Sequence, residues 1–83
     1  MTAMEEVAKV LTFGAKKYSP NGWRNGFMWT RLIGSTLRHL SAFSRGEDLD
    51  PESGLSHLSH AGANILFLIE HYTIGLGKDD RHE

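Results

Sequence analysis

Three stretches with a helical apolar period, separated by two turn-rich breaks, take up nearly all of this 83-residue chain. That pattern leaves little room for anything but a small helical domain. The first helix is predicted over Ala3–Tyr18, with Val7, Val10, Leu11, Gly14 and Tyr18 on one face. Glu5 and Glu6 sit near its start and Lys16 and Lys17 near its end, the charge order that the helix dipole favours. The second helix is predicted to start between Phe27 and Thr30 and to stop near Gly46. Trp29, Leu32, Ile33, Thr36, Leu37, Leu40 and Phe43 form its apolar stripe. The third starts around Pro51 to Gly54, capped by Asp50 or Ser53, and stops near Gly75 or Gly77. Its expected buried face is Leu55, Leu58, Gly62, Ile65, Ile69 and Tyr72. No alternating strand pattern runs beyond a few residues, so the fold class is all-α, a compact three-helix domain. The expected organisation is one helical domain over 1–77, followed by a charged, disordered tail over 78–83.

A chain of this length buries only ~60% of the surface it exposes when unfolded, so its core is marginal. With 40% hydrophobic residues and no cysteine, it has neither a disulfide nor a thiolate metal site to reinforce that core. A homo-oligomer is expected on that ground. The formal net charge of −1 is not the footprint of a nucleic-acid binder. No apolar run reaches membrane-spanning length and no secretory leader is recognisable, which points to the cytoplasm. P-loop, dinucleotide-binding and nucleophile-elbow motifs are absent, which argues against kinases, dehydrogenases and serine hydrolases.

Three groups of residues carry candidate chemistry. On the third helix, His57, His60, Asn64 and His71 follow i, i+3, i+7, i+14, an arc of about 60° apart from the apolar stripe. Two histidines one turn apart can share a metal or line one pocket. The break just upstream brings Asp48, Asp50 and Glu52, able to fold back over the first turn. A site of His57, His60 and Asp50 would suit a divalent ion. The structural alternative is that each histidine hydrogen-bonds to a neighbouring helix, that Asn64 does the same, and that His71 is a surface residue at the helix end.

Arginines form the second group. Arg31, Arg38 and Arg45 are spaced seven apart, and guanidinium forks suit phosphate oxygens. Arg31 and Arg38, with His39, are the candidates for a di- or triphosphate; Arg45 reads as a solvated residue. The third group is the loop after the first helix. Trp23 falls outside any helical period and can stack on a nucleobase, with Lys17 and Arg24 beside it, whereas Trp29 reads as core.

The runs EEVAKVLTFGAKKYSPNGWRNG and RHLSAFSRGEDLDPESGLSHLSHAGANILFL resemble the N-terminal domain of phage dATP/dGTP diphosphohydrolases. The most specific pieces are Gly14–Trp23, Arg38-His39-Leu40 and Gly46–Asn64. This family is placed near the MazG-like all-α nucleotide pyrophosphohydrolases, although the ExxE…ExxD pattern that holds Mg2+ in those enzymes is missing here. The resemblance implies metal-dependent release of pyrophosphate from a purine deoxynucleoside triphosphate, by a helical oligomer in an infected bacterial cell. On that reading His57, Glu52 and Asp50 are catalytic, and Mg2+ or Mn2+ is held by His57, His60 and Asp50. Lys17, Trp23, Arg24, Arg31, Arg38, His39 and Asn64 bind the nucleotide. His57→Ala is then expected to abolish turnover and leave the fold. The alternatives are a non-catalytic phage protein that sequesters a nucleotide or cyclic-nucleotide immune signal without a metal, or a helical inhibitor of a host protein.

Overall fold

Capping chemistry sets where the helices begin and end. The computed structural model describes residues 1–17 and 27–82. Within them lie three α-helices: α1 over Thr2–Lys17, α2 over Trp29–Ser44 and α3 over His57–Ile74. Helix α2 closes with a two-bond C-terminal turn. Gly46 N–H donates to Phe43 O and Glu47 N–H to Ala42 O, while Gly46 takes a φ of +95°, which glycine tolerates best. Helix α3 closes on Gly75, at φ +76°, with both Gly75 and Leu76 N–H groups donating to His71 O.

The start of α3 differs from the sequence expectation. It begins at His57, not at 51–54, and its cap is Ser56, whose hydroxyl accepts from Leu58 N–H. Asp50 and Ser53 are engaged one turn earlier. The Asp50 carboxylate accepts from Ser53 N–H, its carbonyl accepts from Gly54 N–H, and the Ser53 hydroxyl accepts from Leu55 N–H. Together they hold a tight turn that delays the helix.

The start of α2 has no side-chain cap of its own. The chain's end supplies one. Both oxygens of the Asp80 carboxylate accept from Thr30, one from its N–H and one from its hydroxyl. Trp29 N–H donates to Lys78 O, and the Trp29 indole donates to Leu76 O. Arg81 lies 5.0 Å over the Trp29 ring. Residues 78–81 thereby make contacts along the first turn of α2. A carboxylate there meets the exposed N–H groups and the positive end of the helix dipole.

Helix α3 packs against both α2 and α1. Close approach to α1 is made at Gly62, where a Cβ would stand 3.3 Å from Val7 Cγ2. The buried apolar residues are small or few: Val10, Leu32, Ala42, Ala61 and Ala63. With them are buried Thr36, His57, Ser59 and His71. Thr36 satisfies its hydroxyl by donating to Leu32 O one turn back.

Gly62 apart, this packing leaves most of the face of α3 expected to be buried on the outside. His57, Ala61 and His71 are buried, with Asn64 half-buried on the same line. Leu58, Ile65, Ile69 and Tyr72, expected inside, are 45–71% exposed. His71, expected on the surface, is wholly buried. The reason lies on α2, whose inward side offers Ser35 and His39 as polar partners, while Leu37, Leu40 and Phe43 face outward. Among the described residues, no helix is long and apolar enough to cross a membrane.

Candidate functional site

Arg31, Ser35 and Arg38 follow i, i+4, i+7 on α2, and His39 adjoins them. His57, His60 and Asn64 face them from α3. The 48–56 turn closes one end, pinned by a hydrogen bond from His57 N–H to Asp48 O and by a bridge between Leu49 and Ser56. Phe13 of α1 meets His60 edge-on, with ring centroids 6.3 Å apart. Between these elements lies an open cleft of about 440 Å3. Its polar lining includes Arg31, Arg38, His39, Asp50, Glu52 and Asn64, and Val10, Phe13 and Leu32 line its apolar side.

Three imidazoles converge here, His39 and His60 on the cleft lining and His57 beside them. His39 and His57 approach Nδ1 to Nδ1 at 2.8 Å. His39 stacks on His60 with centroids 4.6 Å apart and planes 6° from parallel. His57, only 4% exposed, places Nε2 2.8 Å from a Glu47 carboxylate oxygen. His60 Nε2 lies 2.7 Å from the Ser53 hydroxyl and 3.9 Å from Asp50. Asn64 donates to the Ser35 hydroxyl at 3.0 Å.

The electrostatics favour neutral imidazole beside ionised carboxylate. Burial pushes the His39 pKa below its ordinary value, and the neighbouring His60 and His57 push it further, against the opposing pull of Asp50. For Asp50, burial acts to raise the pKa. The Ser53 N–H and hydroxyl, with the charges of His60 and His39, outweigh it, so the carboxyl titrates lower than usual. A neutral imidazole next to a carboxylate is the state in which both offer lone pairs to a cation.

One donor atom from each of His39, Asp50 and His57 lies within 4.8 Å of the others. Such a group could accept a metal ion, and His60, expected from sequence beside His57 and Asp50, stands 3.9 Å from the Asp50 carboxylate. His60 is turned towards Ser53, and His39, read from sequence as a nucleotide contact, takes the place beside His57. Glu52, Arg31, Arg38 and Asn64 line the same cleft. Arg45 points elsewhere, donating to the Ser41 hydroxyl at 2.7 Å. Trp23, Arg24 and the Lys17 side chain lie outside the described residues. Sequence reasoning missed Glu47, Ser53 and Ser35. Glu47 carried a signal, as a carboxylate between a helix end and the histidine-bearing helix; the two serines carried none.

The family model for the N-terminal part of dATP/dGTP diphosphohydrolase matches residues 1–81. A protein of Salmonella phage PMBT28, named dATP/dGTP diphosphohydrolase, is 38% identical over 64 residues. That match takes in 77% of this chain and 22% of the phage protein, so the chain spans about a fifth of its relative's length. No solved structure matches the chain. With nearly its whole length matched, the chain belongs to the dATP/dGTP diphosphohydrolase N-terminal domain family.

Proposed function

We propose that this domain binds a purine deoxynucleoside triphosphate in the α2–α3 cleft and hydrolyses it to the monophosphate and pyrophosphate, with a divalent ion, in the cytoplasm of an infected bacterium. The observation that carries this reading is the shared cleft. Two arginines suited to phosphate and a His–Asp–His group suited to a cation line or adjoin one cavity. Arg31 and Arg38 hold the phosphate chain through charge-assisted hydrogen bonds. Asn64, its amide fixed by Ser35, and the apolar wall of Val10, Phe13 and Leu32 receive the sugar and base.

In the hydrolytic step, water oxygen bonds to the α-phosphorus and the bond from that phosphorus to the α–β bridging oxygen breaks. Pyrophosphate leaves with the electron pair, and Glu52, on the cleft wall, takes the proton of the attacking water. His39, His57 and Asp50 would hold the ion, which when bound supplies charge neutralisation at the phosphates and a more acidic water. Incubation of the purified chain with dATP or dGTP and Mn2+, followed by separation of products, tests this. The monophosphate and pyrophosphate are expected, and nucleotide left intact contradicts the hydrolytic reading.

A second reading, a nucleotide binder without turnover, draws on the lining itself: Asp50 and Glu52 are the carboxylates there, beside two arginines and two imidazoles. Intact nucleotide recovered from heat-denatured protein would favour it. Self-association belongs to either reading. Leu58, Ile65, Ile69 and Tyr72 repeat along α3 at coiled-coil spacing and stand exposed, and a second copy of the chain is the partner we propose for them. Light scattering at micromolar concentration should then show more than a monomer mass.

A further inference from the structure

Within the nucleotide-site reading, and resting on it, we propose that His39, His57 and Asp50 form a site selective for a first-row transition-metal divalent ion, of the Mn2+, Co2+ or Zn2+ class, over Mg2+. Glu47 is its positioning carboxylate, and His60 stands outside the ligand set.

The donor chemistry comes first. Two imidazoles and one carboxylate suit ions that accept nitrogen, whereas Mg2+ favours oxygen donors and retains its waters. Three protein donors leave coordination positions for water and phosphate oxygen, and His39 and Asp50 line the cleft where a phosphate would arrive.

Tautomer logic comes second. A carboxylate at His57 Nε2 fixes the proton on that nitrogen. His57 Nδ1 is then the lone-pair atom, and it points at His39 Nδ1, 2.8 Å away. Two lone pairs cannot face each other at that distance, so His39 Nδ1 carries a proton when no cation is present. A cation bound here takes that proton's place. Imidazole nitrogens on one tetrahedral ion stand ~3.3 Å apart, so the pair needs to open by only about half an ångström. A carboxylate holding the remote nitrogen of a ligating histidine is the usual outer-shell arrangement at such sites.

Supporting contacts come third. His60 is engaged by the Ser53 hydroxyl, and its ring stacks flat on His39, which orients the His39 ring. Ser53 N–H holds the Asp50 carboxylate. The ligands are thus held by groups that are not ligands themselves.

The test is titration of the metal-free chain with Co2+, followed by its visible absorption and by calorimetry, with far-UV circular dichroism to confirm that each variant is folded. One equivalent is expected to bind, to be displaced by Zn2+, and to survive a hundredfold excess of Mg2+. His39→Gln and Asp50→Asn should each weaken binding at least tenfold. Glu47→Gln should weaken it ~10–100-fold without changing the stoichiometry. His60→Gln should weaken it less than either His39→Gln or Asp50→Asn, with the stoichiometry kept. Absence of stoichiometric binding, indifference to both His39→Gln and Asp50→Asn, equal competition by Mg2+, or a larger loss in His60→Gln than in either of those variants would each overturn the assignment. Stoichiometric Co2+ binding by a chain that leaves dATP and dGTP intact upholds the metal site and removes only the hydrolytic reading. Turnover without such binding does the reverse.

Discussion

The Nδ1 atoms of His39 and His57 meet at 2.8 Å across the seam between α2 and α3, so the two helices are joined beside the cleft that His39 lines. The joint continues through His57 Nε2 to Glu47, in the segment connecting the same helices. His57 is thereby a structural residue as well as a candidate ligand. His57→Ala should destabilise the fold by ~1–3 kcal/mol, because it leaves a buried polar partner without its bond and opens a void. Denaturant unfolding checks this. An unchanged midpoint would leave His57 only the functional role that the family resemblance implies.

Stability should depend on pH around histidine titration. The folded state depresses the His39 pKa, chiefly by burial, so the unfolded chain takes up the proton first as pH falls. The contribution of neutral His39 is fully present above its unfolded value of about 6.5 and is lost as pH drops through the lower folded value. The melting temperature should therefore decline from pH 7 towards pH 5, and His39→Gln should flatten that decline. Asp50, also depressed, adds loss in the same direction below about pH 4. A melting temperature that rises between pH 7 and 5 would contradict the sign.

The arginines should act on binding and leave the fold alone. Arg31 and Arg38 are exposed, and Arg38 lies back along α2 towards Gly34. A charge-assisted hydrogen bond to phosphate is worth about 1.5–3 kcal/mol, so Arg38→Ala should weaken nucleotide binding ~10–100-fold. Arg45→Ala, with its guanidinium on Ser41, should change it little. Calorimetric titration with dGTP distinguishes the two, and equal effects would deny Arg38 a place in the site.

Gly77 is fixed by space and by backbone conformation together. At φ +73°, a Cβ there would stand 2.6 Å from Phe27 O and 3.1 Å from both His71 Nδ1 and Trp29 Nε1. Gly77→Ala should destabilise by about 1–3 kcal/mol, since backbone cannot move aside cheaply. Gly14, inside α1 with nothing within 4 Å of a Cβ, should gain ~0.5–1 kcal/mol when changed to alanine. Thermal unfolding of the two variants should shift in opposite directions.

The number and rough extent of the helices were legible in the sequence because periodicity and Gly punctuation are local signals. The C-terminal turns at Gly46 and Gly75 fell where expected for the same reason. The face of α3 that turns inward was not legible. An apolar stripe predicts burial only when a partner covers it, and here α2 offers Ser35 and His39, so the His57–Asn64–His71 line packs instead. The start of α3 was misplaced because Asp50 and Ser53 can cap a helix or build a turn, and the choice depends on Gly54 at φ +71°. Arginines and histidines on the cleft could be named from residue type and spacing. That His39 joins Asp50 and His57 in one group could not, because it depends on the relative rotation of two helices. The cap that Asp80 gives α2 was also hidden, since Asp80 meets Thr30 across 50 residues of sequence.

The central claim is that one cleft gathers cation and phosphate. Crystals grown with Mn2+ and a non-hydrolysable dGTP analogue, measured at the manganese absorption edge, address it most directly. An anomalous peak is expected within bonding distance of His39, His57 and Asp50, with the phosphates beside Arg31 and Arg38. A manganese peak elsewhere, or a nucleotide bound away from those arginines, would contradict it.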